Sequence, residues 1–390
     1  MGCQPCLPQR GPYEASDGIS PVMGERKNWV GLLPIVIAKA TSSCYKSKRK
    51  SEPGLMKPKK EERTMSRLRF LLCLIIIFSG MGSSSEAAPL IIKFGHSGTK
   101  VHQYHIGATK LAEAVEKNSN GQMKIEVFSD AQLGGERDLA EGTRLGTVDM
   151  AVSAAGSILP LWVPEFQVME MPFIFRDRAH AYKVLDGPVG AELNALAEKK
   201  GIKILGYWEV GFRNMTNNKR PIVTPKDMEG LKIRVQQSKV YVEMMKSLGA
   251  IGTPIAFTEL YSALQQGVVD GQENPIPTIR SMNYFEVQKY LSLTFHTYTP
   301  GAVMISPKLW NSLTEQQKQI LQKSVDESKH FQRKTVADKE KDDLAFLKSK
   351  GMIVTENPDV AAFRKATLPV YEAMSNVVPP ALVGRIQDVK

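Results

Sequence analysis

From residue 88 to its end the chain contains no cysteine; all four, Cys3, Cys6, Cys44 and Cys73, lie in the first 87 residues. That absence removes catalytic thiols, zinc–thiolate sites and disulfide frameworks from the body of the protein, and it suits an oxidising compartment. Long hydrophobic runs are also missing: the longest apolar stretch, Phe70 to Phe78, is nine residues, against the roughly 20 a membrane-spanning helix needs. Aromatics make up only 7% of the chain. The formal charge of +11 is concentrated at the front, with +7 in residues 1–87 and +4 in the remainder, so the body is not a polyanion-binding surface and no nucleic-acid partner is expected. The 42% apolar and 23% charged content of the 390 residues excludes collagenous and pervasively disordered classes and leaves one large or two to three ordinary domains.

The front segment has its own logic. Met65 to Arg69 is a short basic start, Phe70–Phe78 is apolar, and Ser79 to Ala87 is small and polar, with Ser85 and Ala87 at −3 and −1 of a cleavage point. This is the layout of a secretory signal peptide, which predicts export and a mature protein beginning near Ala88. Residues 1–64, with the basic runs KSKRK and KPKK, read as a non-native or disordered leader, with translation starting at Met65.

Behind it, strands and helices alternate. Strands are predicted at 91–95, 123–128, 148–152, 202–208, 232–236, 253–257, 289–295, 301–305 and 352–354. Helices are predicted over the Ala108–Val115 stripe and near 136–146, 178–186, 189–199, 240–248, 258–266, 314–349 and 359–376, with a turn at 270–275. Such alternation predicts an α/β fold with a largely parallel sheet. Two α/β units of comparable size imply two lobes with a ligand cleft between them.

Arg234 sits in a strand between Ile233 and Val235, on the opposite face from both. A buried guanidinium needs an anion, so its partner is either a ligand carboxylate, which its planar fork suits, or an internal acid. Arg213 reads as an exposed loop cation or a second anion contact, and Asn274, before Pro275, as a turn residue or a ligand hydrogen-bonding group. His96, His102 and His105 read as surface histidines at a helix start, because no third ligand of metal-site geometry accompanies them. Ser153 and Ser157 lack a nucleophile elbow, and the Met pairs at 244–245 and 169/171 read as core filling.

The body, over residues 90–380, resembles the extracytoplasmic solute-binding subunits of tripartite ATP-independent periplasmic (TRAP) transporters, of the C4-dicarboxylate-binding type. The resemblance rests on KFGH (93–96), QLGGERD (132–138), LGTVDMAVS (145–153), MPFIF (171–175), GFRNMTNNKRPI (211–222), GLKIRVQ (230–236), the stretch ending in DGQENP (270–275) and EVQKYLSLTFH (286–296). It implies a two-lobed periplasmic-binding-protein-like fold with a long lobe-spanning helix, lobe I at 88–210 plus 300–339 and lobe II at 211–299 plus 340–390. It also implies a periplasmic receptor that hands a small organic acid, a C4-dicarboxylate or a sugar acid such as a uronate, to TRAP membrane permease subunits. On the resemblance, Arg234 pairs the ligand carboxylate, Arg213 supports it and Asn274 orients it, with Glu136, Ser97 and Phe257 as further ligand-binding candidates. No enzyme activity, cofactor or metal is expected, and a monomer is. Two other readings of the residues stay open: an exported two-lobed enzyme acting on a carboxylate, and a ligand receptor feeding a sensor protein.

Overall fold

The computed structural model describes residues 88–390; the signal-peptide and leader expectations, and all four cysteines, lie outside the described residues. The strands are β1 (Leu90–Gly95), β2 (Met123–Phe128), β3 (Met150–Ala154), β4 (Lys203–Asn217), β5 (Lys232–Val235), β6 (Ile251–Pro254), β7 (Gly271–Pro275), β8 (Tyr290–Ser292), β9 (Tyr298–Ile305) and β10 (Ile353–Thr355). The helices that position the site are α1 (Gln103–Asn118), α2 (Glu136–Leu145), α3 (Lys239–Ser247) and α4 (Glu315–Ser349).

The strand order is β2-β1-β3-β9-β4-β7-β5-β6, with β8 on β4 and β10 on β8. Strands joined through helices pair in parallel, as the alternation requires: β1 with β2 and β3, β5 with β6 and β7, β10 with β8. The sheet is nevertheless mixed rather than largely parallel, because β9 and β4 run antiparallel to their neighbours. β4 is the reason the molecule has two halves. Its residues 203–212 pair with β9, and its residues 213–217 pair with β7 and β8.

The strand predicted over 202–208 is longer than its pattern indicates, running from Lys203 to Asn217. It continues through an irregularity between Glu209 and Gly211, where Gly211 takes φ +125°, a conformation open to glycine. The predicted turn at 270–275 is strand β7, whose polar Gln272, Glu273 and Asn274 are buried against β4. The predicted 359–376 helix is two, Val360–Ala366 and Leu368–Ala373, since Pro369 has no amide to continue the first. The predicted 253–257 strand starts and ends earlier, which leaves Phe257 on a 3₁₀ turn.

Two apolar clusters are tied together by α4. Leu321 and Val325 pack with Ile92, Phe94, Leu111 and Trp208, while Leu347, further along, packs with Leu260, Ile279 and Leu291. At 35 residues this helix is about 52 Å long. Thr314 and Gln317 form its capping box, and its buried Gln332 holds β4 by accepting from Glu209 N (2.9 Å) and donating to Glu209 O (2.7 Å). The Met244, Met245, Met169 and Met171 side chains are buried in the largest cluster, as core filling requires.

Candidate functional site

A cavity of about 300 Å³ opens where β4 changes partners. One wall comes from His102, Tyr104, Glu136, Ser157 and Val210, the other from Arg234, Gln236, Phe257 and Asn274, with Arg213 and Thr299 at the floor. Ser157 Oγ donates to Gln236 Oε1 at 2.7 Å and so joins the two walls.

Arg234 and Arg213 both reach this cavity, but their partners differ. Arg213 is not an exposed loop cation. It lies within β4, is 2% exposed, and forms a two-point ion pair with Glu273 of β7. Its guanidinium also donates to Glu273 O (2.5 Å), Asn274 Oδ1 (3.0 Å) and Thr299 Oγ1 (3.3 Å). His296 Nε2 lies 3.4 Å from Glu273 Oε2. Burial disfavours the Glu273 carboxylate, yet Arg213 and His296 outweigh it and hold Glu273 below the usual carboxylate range. The Arg213 charge is therefore already neutralised inside the protein.

Arg234 is equally buried, at 2%, and takes part in no ion pair among the described residues. Its Nε donates to Ile255 O at 2.9 Å, and its Nη1 has no partner among the described residues. Burial lowers its pKa below the ordinary arginine value. Placement on β5 explains the exposure pattern: Ile233 and Val235 pack into the core on the other face, and Arg234 is left toward the cleft.

Asn274 is fixed by its neighbours as much as it is available to a ligand, with Oδ1 taken by Arg213 and Nδ2 donating to Gln272 Oε1. Glu136 opens α2 at the half-buried rim; Asp138 accepts from Gly135 N (3.0 Å) and sets that turn. Burial raises the Glu136 pKa, and its carboxylate accepts from Ser97 Oγ (3.3 Å) and Ala154 N (3.2 Å). Ser97 itself is not part of the cavity lining; it reaches the site through Glu136. Phe257 is half-buried and forms an apolar wall.

Two features of the site were missed. The histidines are not surface groups: His96 and His102 are buried, and His102 lines the cavity. Sequence patterning treats a polar residue at a helix start as solvated, and here the helix start faces the cleft. Glu170, buried beneath the Arg213 network, accepts from Tyr241 OH and from Thr299 Oγ1 (3.0 Å). Burial raises its pKa to about 8. A carboxyl whose folded pKa exceeds the unfolded value favours folding at low pH, and that contribution is lost as pH rises from about 4.5 through about 8. Apo melting curves of wild type and Glu170→Gln across pH 4–9 are expected to converge near pH 4.5, to diverge progressively up to about pH 8 and to separate no further above it, the variant being the less pH-sensitive. Parallel curves would contradict the neutral carboxyl.

A two-lobed α/β molecule with an unpaired arginine in a polar cleft between its walls has the build of a ligand-capturing receptor. The chain belongs to the bacterial extracellular solute-binding proteins, family 7, whose model matches residues 94–376. The 2,3-diketo-L-gulonate-binding periplasmic protein of Escherichia coli is 38% identical over 284 residues, covering 73% of this chain and 86% of that protein. A TRAP periplasmic solute-binding protein from Polaromonas, bound to D-erythronate, is 41% identical with a TM-score of 0.75, covering 77% of this chain and 99% of that one. One from Sulfurospirillum deleyianum with bound succinate is 34% identical with a TM-score of 0.74, covering 78% of this chain and all of that one. The TRAP resemblance and the two-lobed fold class are thereby borne out, and the family's members are transport binding proteins.

Proposed function

We propose that this protein is a non-catalytic periplasmic receptor that captures a small organic acid through Arg234 and delivers it to TRAP membrane subunits. The single observation that carries the reading is a buried guanidinium facing the cleft with no anion paired to it among the described residues. An unpaired buried charge is costly, and a ligand carboxylate relieves that cost with a planar, two-point contact. Arg213 and Thr299 lie at the floor beneath it, and Asn274, Glu136, Gln236 and Ser157 supply hydrogen-bonding groups for the rest of a polar ligand. The relatives bound to D-erythronate and to succinate support an acid as the ligand.

A receptor without chemistry fits the way the reactive groups are used. Ser157 Oγ donates to an amide oxygen and not to a base, and His102 Nδ1 is occupied by a backbone amide. We place lobe I at 88–210 plus 300–339 and lobe II at 211–299 plus 340–390, and we assign export to the cleaved segment 65–87 and a monomeric state to the mature chain. A thermal-shift panel of D-erythronate, D-galacturonate, D-glucuronate and succinate tests the reading. At 100 times its dissociation constant an acid is expected to stabilise the fold by about 2.7 kcal/mol. A panel in which no acid shifts the melt would overturn it.

A further inference from the structure

His102 is held by three features at once. It is the N-cap of α1, and its Nδ1 accepts from Tyr104 N at 3.1 Å. Its ring packs 4.8 Å from the Tyr104 ring and 6.0 Å from Phe257 on the other wall. The Gly98 backbone covers it so closely that a Cβ there would lie 2.3 Å from His102 Cγ. Because Nδ1 accepts a proton donor, the neutral ring carries its hydrogen on Nε2. Burial keeps the ring neutral, lowering its pKa to about 3. Nε2 is thus a fixed, uncharged N–H donor. It is buried and has no partner among the described residues, in a ring that lines the same cavity as Arg234.

Among the described residues the cavity lining therefore carries two unpartnered buried donors of different kinds. The guanidinium suits a carboxylate, and the neutral imidazole N–H suits an uncharged oxygen. We propose that His102 is a specificity-determining residue whose Nε2 donates to a hydroxyl or carbonyl oxygen on the carbon chain of the acid held by Arg234. The inference rests on the acid-receptor reading above and adds to it a preference for hydroxy or oxo acids over plain dicarboxylates. A site built to hydrogen-bond a ligand oxygen rejects analogues that lack it, because its own donor is then left unpaired.

The test is calorimetric titration of wild type and His102→Asn with D-erythronate, D-galacturonate and succinate, beside apo thermal melts. Asparagine also caps a helix, so the fold is retained while the imidazole donor is lost. Wild type is expected to bind at least one of the two hydroxy acids more tightly than succinate. In His102→Asn that preference falls about 10- to 100-fold, with succinate nearly unchanged. Gly98→Ala, which displaces the ring without removing it, is expected to reduce the same preference. Equal weakening of all three acids in both variants, or a wild type that prefers succinate, overturns the role of His102. A wild type that binds none of the three acids overturns the receptor reading with it.

Discussion

Arg234→Ala is expected to lose nearly all affinity while the fold survives. Truncating one partner of a desolvated charge pair costs about 2–5 kcal/mol, or roughly 30- to 4000-fold in affinity. Arg234 makes only one protein hydrogen bond, to the Ile255 carbonyl, and no ion pair among the described residues, so little in the apo protein depends on its charge. Removing it is even expected to raise apo stability, since an uncompensated buried charge disappears. Arg234→Lys should fail as a binder as well, because an ammonium cannot reproduce the planar two-point contact. Titration calorimetry beside apo melts checks both. A variant that melts early and binds normally would assign Arg234 to the structure instead of the ligand.

Glu273 is expected to behave in the opposite way. It is the internal acid that neutralises Arg213, with His296 behind it. Breaking a buried pair by removing one partner costs about 3–5 kcal/mol, so Glu273→Ala should lower the apo melting temperature by on the order of 10 °C. Because the Glu273 pKa is held down in the folded state, its contribution is present above the ordinary carboxylate value and is lost as pH falls below it. The variant's acid-side melting profile should therefore be flatter than wild type. An unchanged apo melt would contradict the pairing.

The contrast between these two arginines shows what the sequence could and could not disclose. Arg234 reads as a ligand contact or an internal pair, and Arg213 as an exposed loop cation or a second anion contact. Alternation placed Arg234 correctly on the face away from Ile233 and Val235. Nothing local to Arg213 revealed Glu273, its partner 60 residues away, because that pairing depends on the register between β4 and β7. β7 itself was hidden for a related reason. Its GQENP residues have turn composition, and they form a strand because β4 and β5 supply backbone partners on both sides.

Elements that announced themselves did so through periodicity that tertiary packing then used. The alternation Met123 to Phe128 is β2 residue for residue, and the long charged amphipathic stretch is α4 within one residue at its start. His102 was misread because burial was inferred from polarity. In a cleft whose walls are polar, side-chain chemistry does not report exposure, and only the close approach of Gly98 and the Phe257 wall show where the ring lies.

The central claim is that Arg234 is the anchor for the ligand's carboxylate. Its most direct test is a crystal structure of the mature protein with whichever of D-erythronate, D-galacturonate, D-glucuronate or succinate gives the largest thermal shift. The expected result is a carboxylate in a planar two-point contact with the Arg234 guanidinium, with Arg213 still paired to Glu273. A carboxylate bound elsewhere, with Arg234 turned to an acid of the protein, would contradict it.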